Sequence, residues 1–106
     1  MPKVYIPNEG PHNYSGAKSF GELVSCSAGQ IDRWDLAQMH RILSSYIDDS
    51  QPQDYILLTS LTSLCSIICS MFACKHGRLN LLIYRDGTYL TRELFFKDAS
   101  QNDKPK

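Results

Sequence analysis

Residues 55–74, YILLTSLTSLCSIICSMFAC, carry no charged side chain over twenty positions. A run of that length can cross a bilayer core of about 30 Å as one helix. It can equally be a buried strand followed by a buried helix, and the choice decides the fold. Six hydroxyl residues (Thr59, Ser60, Thr62, Ser63, Ser66 and Ser70) interrupt the run, and four of them sit together just after Leu58. Tyr55–Leu58 is a continuous apolar stretch too short for a helix, and it suits a strand covered on both faces. From Leu61 to His76 the spacing predicts a helix whose Leu64, Cys65, Ile67, Ile68, Met71, Phe72 and Ala73 surround its axis. Gly77 fits the left-handed position just past a helix end, and Lys75 and His76 suit the negative end of its dipole. Divided in this way, the stretch is the interior of a small domain, and no membrane contact is expected of it.

The flanks read as ordinary elements of such a domain. Upstream, Leu36, Met39, Leu43 and Tyr46 recur at three- and four-residue spacing, which predicts an amphipathic helix over Arg33–Ile47. Asp32 is its expected cap, Asp35 adds charge to its first turn, and the polar run Asp48–Gln53 ends it. Nearer the start, Lys3–Pro7 reads as a strand, Asn8–Tyr14 as a loop, Ser15–Phe20 as a short helical turn and Glu22–Ser27 as a second strand. Downstream, Leu79–Tyr84 and Tyr89–Phe96 are strands joined by the hairpin signal Asp86-Gly87. Strand, helix and strand in sequence imply a right-handed parallel crossover. The expected fold class is therefore α/β: a small mixed sheet, a parallel β-α-β crossover plus a carboxyl-terminal antiparallel hairpin, packed by two main helices. Residues 1–96 are expected to form one domain, with 97–106 a polar, flexible tail.

Composition narrows the function classes. The chain has 106 residues, and eleven basic side chains balance eleven acidic ones. Broad electrostatic capture of nucleic acid normally needs a basic stripe, so zero net charge argues against it. Near-neutral small proteins also tend to associate, which makes a homodimer an expectation. No positively charged leader precedes the first apolar run, and Cys65, Cys69 and Cys74 crowd into one helix. With Cys26 they read as reduced, buried thiols in a cytosolic setting.

Four constellations carry chemistry. Thr59, Ser60, Thr62 and Ser63 lie between a strand's carboxyl end and a helix amino end, where open α/β sheets hold ligands and free amides can receive an anion. The segment lacks the glycines and lysine of a phosphate loop, so capping of the helix is its simpler role. The loop after the first strand offers Asn8, Glu9, His12 and Tyr14 to the same edge, with His12 a base that Glu9 can orient. No nucleophile accompanies them, and no catalytic residue is assigned. Cys65 and Cys69 share a helical face at zinc-chelating spacing, but no second pair completes a site, so no metal or cofactor is expected. Arg78, Arg85, Arg92 and Lys97 interleave with Tyr84, Tyr89, Phe95 and Phe96, as in surfaces that bind single-stranded nucleic acid. A solvated face is the simpler reading, with half of those aromatic rings turned into the core. Trp34 is a candidate partner anchor, although a lone tryptophan is usually packed.

Val4-Tyr5-Ile6 at the start, Ala17 with Phe20-Gly21-Glu22-Leu23, Asp54-Tyr55-Ile56-Leu57-Leu58-Thr59 before an apolar helix, Gly77-Arg78, Leu81-Leu82 and Tyr89 together form a pattern over residues 3–95. In it the chain resembles small, largely uncharacterised accessory proteins of tailed bacteriophages. Such proteins often show Gly-Asp after the buried strand, where this chain has Ser60-Leu61. The resemblance implies a phage accessory product in the host cytoplasm, and it supplies no catalytic residue. The leading expectation is a non-enzymatic protein that binds a host or phage macromolecule. Capture of a nucleotide or other anion by the strand-end loops comes second, and nucleic-acid binding by the hairpin third.

Overall fold

The computed structural model describes residues 1–59 and 61–96, so Ser60, Lys97 and the tail expected over 97–106 lie outside the described residues. The chain runs β1 (Lys3–Ile6), a 3-10 turn η1 (Ser15–Ser19), β2 (Glu22–Ser25), α1 (Leu36–Asp48), β3 (Tyr55–Leu57), α2 (Thr62–His76), β4 (Arg78–Arg85) and β5 (Thr88–Phe95). All five strands join one sheet in the order β2-β1-β3-β4-β5. The first four strands in that order are parallel, and β5 returns antiparallel along β4. The expected mixed α/β sheet is the observed one. No helix among the described residues is long and apolar enough to cross a membrane.

Strand order explains the layering. The chain moves from β1 to β2 in one direction, then passes back over β1 to β3 and on to β4. Crossovers of one hand must then lie on opposite faces of the sheet. Accordingly α1 and α2 cover one face, packing Met39, Leu43, Ile47, Leu64, Ile68 and Phe72 against Tyr5, Ile56 and Leu79. The other face holds Val4, Ile6, Leu57 and Leu82 under Tyr14, just before the short η1 segment, and Ala17 within it. β3 is buried between both layers, as its unbroken apolar run requires.

Local chemistry sets the ends of the elements, and five readings are corrected. The first helix begins at Leu36 with Asp35 as its cap, Oδ1 accepting the Gln38 N–H at 3.0 Å. Asp32 instead turns on its own backbone, accepting the Trp34 N–H at 3.0 Å. The buried stripe of α1 is Met39, Leu43 and Ile47, while Leu36 is 52% exposed because it precedes the contact with the sheet. Trp34 is not packed: it is 84% exposed on the loop that Asp32 shapes. Cys26 and Cys65 are buried, but Cys74 near the end of α2 is exposed, and all four thiols are free. The hairpin aromatics are more exposed than expected, with Tyr84 at 60% and Phe95 at 70%, because the short η1 segment packs against Tyr89 and leaves those two rings largely uncovered by the described residues.

Gly77 takes φ 69° and ends α2 through its amide to the Ala73 carbonyl. Lys75 does not serve its own helix end. Its Nζ donates to the Ile47, Asp48 and Ser50 carbonyls at 2.8, 2.6 and 3.2 Å, and so closes the open end of α1. Beside it the amino ends of the strands meet in a polar cluster. The buried Asp54 carboxylate accepts the Lys3 and Gln51 amides at 2.9 and 2.8 Å. The buried Asn80 amide donates to the Pro52 and Asp54 carbonyls. The carboxyl ends are thereby left as the edge where loops are free to form a site.

Candidate functional site at the carboxyl ends of the strands

The loops after β1 and β3 converge there. Between those two strands the strand order reverses direction, the place where crevices open in sheets of this kind. A cavity of about 410 Å³ lies over it, lined by Asn8, His12, Asn13 and Tyr14 from the first loop, Leu58, Thr59 and Leu61 from the second, and Tyr84 and Tyr89 from the hairpin. That volume is in the range of small-molecule sites.

Both loops are held before any ligand arrives. The Glu9 amide donates to the Ser27 carbonyl at 2.7 Å, and Asn8 Nδ2 to the Gly29 carbonyl at 3.1 Å, so the loop after β1 is stapled to the loop after β2. Ser27 Oγ closes the staple on the Pro7 carbonyl and Asn8 Oδ1. Tyr14 bends back so that its hydroxyl accepts the Gly10 amide at 3.1 Å. Across the cavity the Thr59 amide and hydroxyl both lie 3.4 Å from Cys65 Sγ, which ties the loop after β3 to the first turn of α2.

The walls are aromatic. Tyr84 and Tyr89 face each other across the hairpin with ring centroids 5.3 Å apart and planes at 67°, and His12 meets Tyr14 edge-on at 6.3 Å. Gly16 lies beneath Tyr89, where a Cβ would stand 3.2 Å from Cε2. Burial, with the neighbouring Tyr14 and Tyr84 phenols next, raises the Tyr89 hydroxyl above its ordinary value, so it stays protonated as a donor. Asn13 Oδ1 is engaged by the Ser15 amide, and its NH2 meets no partner among the described residues. Among the described residues no carboxylate lines the cavity. Leu61, at the amino end of α2, stands at its rim and has no side-chain cap to offer.

Of the residues singled out by sequence, Asn8, His12, Tyr14 and Thr59 line this one cavity. Glu9 does not join them, and it does not reach His12: its Oε2 accepts the Ser25 hydroxyl at 3.1 Å. Thr62 faces a shallower depression with Cys65 and Cys69 on the side of α2. The Ser63 hydroxyl lies 3.5 Å from the Arg33 carbonyl. None of the described hydroxyls caps α2, the role that sequence favoured for them.

The hairpin cations are not brought to one face. Strand alternation puts Arg78 on the η1 side with Tyr84 and Tyr89, and Arg85 and Arg92 on the helical side. Arg78 is also engaged, with Nε and Nη2 on Asn80 Oδ1 at 3.1 and 2.9 Å, Glu93 at 3.4 Å and the Phe95 ring at 5.0 Å. Sequence reasoning missed Tyr84 and Tyr89 as cavity walls. The signal was present: a strand parallel to β3 must deliver its following turn to the same edge, and these residues flank that turn.

A family described as Phage Pam3 gp32-like protein matches residues 2–94. The chain belongs to this family. The match spans every described strand and helix except the last residue of β5, which confirms the resemblance to small phage proteins. No match was found among curated proteins or among solved structures.

Proposed function

We propose that this phage protein acts by binding, in the host cytoplasm, a small anionic ligand that carries a planar ring, a nucleotide being the type. The carrying observation is the convergence of two independently stapled loops on an aromatic cavity at the strand-order reversal. Tyr84 and Tyr89 offer ring surface, and the Asn13 NH2 and the tyrosine hydroxyls offer donors. With no carboxylate among the described lining residues, no acidic side chain of that lining opposes an anion placed near the amino end of α2. Thermal-shift and calorimetric titration with nucleoside mono-, di- and triphosphates tests the reading. A ligand at a hundred times its Kd adds about 2.7 kcal/mol of stability, and Tyr89→Ala is expected to weaken binding at least tenfold. Unchanged melting with every nucleotide overturns it.

A second reading is favoured by one observation. Trp34, 84% exposed on the loop after β2, stands at the same carboxyl edge, and large exposed aromatics are typical anchors of protein partners. On that reading the protein binds a host or phage protein through this edge. Capture from infected cells that is lost with Trp34→Ala supports it, and capture unaffected by that change removes it.

A further inference from the structure

We propose that β5 pairs with β5 of a second copy of this chain, antiparallel about a two-fold axis at Thr91, so that two five-stranded sheets become one. The argument starts from the hairpin turn. Asp86 and Gly87 both take positive φ, 51° and 87°, so the two-residue turn is of the primed type that closes on a hydrogen-bonded pair, here Arg85 and Thr88. Amides then alternate along the strand: Thr88, Leu90, Arg92 and Leu94 face β4, and Tyr89, Thr91, Glu93 and Phe95 face outward. Two contacts agree with this parity. The Phe96 amide turns inward to the Gly77 carbonyl at 2.9 Å, and among the described residues the Thr91 carbonyl is met only by Arg92 Nη1 of its own strand, at 2.7 Å.

Among the described residues no strand pairs with the outer edge of β5, and eight residues of edge without proline or bulge are an invitation to pair. The opposite edge, β2, is half as long. Side-chain charge and the number of bonds formed together select the register, since an axis at Leu90 or Leu94 also opposes no like charges but pairs only about four outward amides. A two-fold axis normal to the sheet keeps each face on its own side, so it passes through a residue. Centred on Arg92 it sets two guanidiniums opposite one another, and centred on Glu93 two carboxylates, each unfavourable. Centred on Thr91 it sets Leu90 opposite Arg92, Tyr89 opposite Glu93 and Thr88 opposite Leu94, with no like charges directly opposed. That register forms about six new backbone hydrogen bonds through the outward amides. It also brings Phe95, 70% exposed, against the Asp86-Gly87 turn of the second copy.

Light scattering on the full chain at about 100 µM is expected to give twice the 12.0 kDa protomer mass. Thr91→Pro removes an outward amide and leaves the bonds to β4 intact, so the variant is expected to keep its circular dichroism and to halve in mass. Should that variant fail to fold, Thr91→Cys in a Cys74→Ser background decides: mild oxidation is expected to cross-link it to itself, and Thr88→Cys in the same background to remain uncross-linked. A wild-type monomer, a dimeric folded Thr91→Pro, or equal cross-linking of the two cysteine variants overturns the pairing.

Discussion

Replacing Asp54 with alanine is expected to remove a large share of the protein's stability without altering its fold. The carboxylate is 2% exposed and accepts the Lys3 amide at 2.9 Å and the Gln51 amide at 2.8 Å. It therefore joins the start of β1 to the turn that feeds β3. A hydrogen bond to a charged acceptor contributes about 1.5–3 kcal/mol. Both amides are only partly buried, so water can recover some of the loss, and the low end applies to each. The sum is about 3 kcal/mol, against a total of about 5–15 kcal/mol for a domain of this kind. At about 4–8 °C per kcal/mol the melting temperature falls by roughly 15 °C. Asp54→Asn keeps a neutral acceptor for one amide and is expected to lose about half as much. Urea unfolding followed by far-ultraviolet circular dichroism is the right assay, because Trp34 already faces water in the folded state and reports little on unfolding. A loss below about 1 kcal/mol for Asp54→Ala, at unchanged denaturant slope, refutes the reasoning.

The buried Tyr5 hydroxyl lies near enough to the Asp54 carboxylate to feel its charge, but it makes no hydrogen bond of ordinary length and angle among the described residues. Tyr5→Phe is therefore expected to change stability by less than about 1 kcal/mol in the same urea assay. Burial, then the Lys75 ammonium, pushes the His76 imidazole below its ordinary 6.5, against a weaker opposing pull from Asp54. The unfolded chain then binds a proton more readily than the folded one, so stability is lost as pH falls below about 6.5, and His76→Gln flattens that slope in melting curves taken across the range. Cys74 is exposed and is expected to react first with an aromatic disulfide reagent. Cys26, its thiol pushed up to about 12 by burial, and Cys69, pushed up to about 11 by burial and by Cys65, lag behind it and react fully only in denaturant. Gly16→Ala sets a Cβ against the Tyr89 ring and is expected to weaken any cavity ligand about threefold to tenfold by titration while costing under about 1 kcal/mol of stability.

Sequence by itself determined the elements whose causes are local. The hydroxyl cluster after Leu58 divided the apolar run into β3 and α2, Gly77 ended α2, and Asp86-Gly87 turned the hairpin, each through preferences acting over a few residues. It also named a third of the cavity lining, since Asn8, His12, Tyr14 and Thr59 each follow a strand. Tertiary structure decided the rest. Backbone ladders are blind to sequence, so nothing local says that β3 lies between β1 and β4, or that β2 is the edge. That order follows from burying β3 on both faces with crossovers of one hand. It moved Tyr84 and Tyr89 into the cavity, committed Arg78 to Asn80 and Glu93, and set Lys75 on the end of α1. Those side chains were legible by type, but their partners are remote in sequence, 28 residues away for Lys75 and farther for Tyr89 over Gly16, and only the packed sheet brings them together.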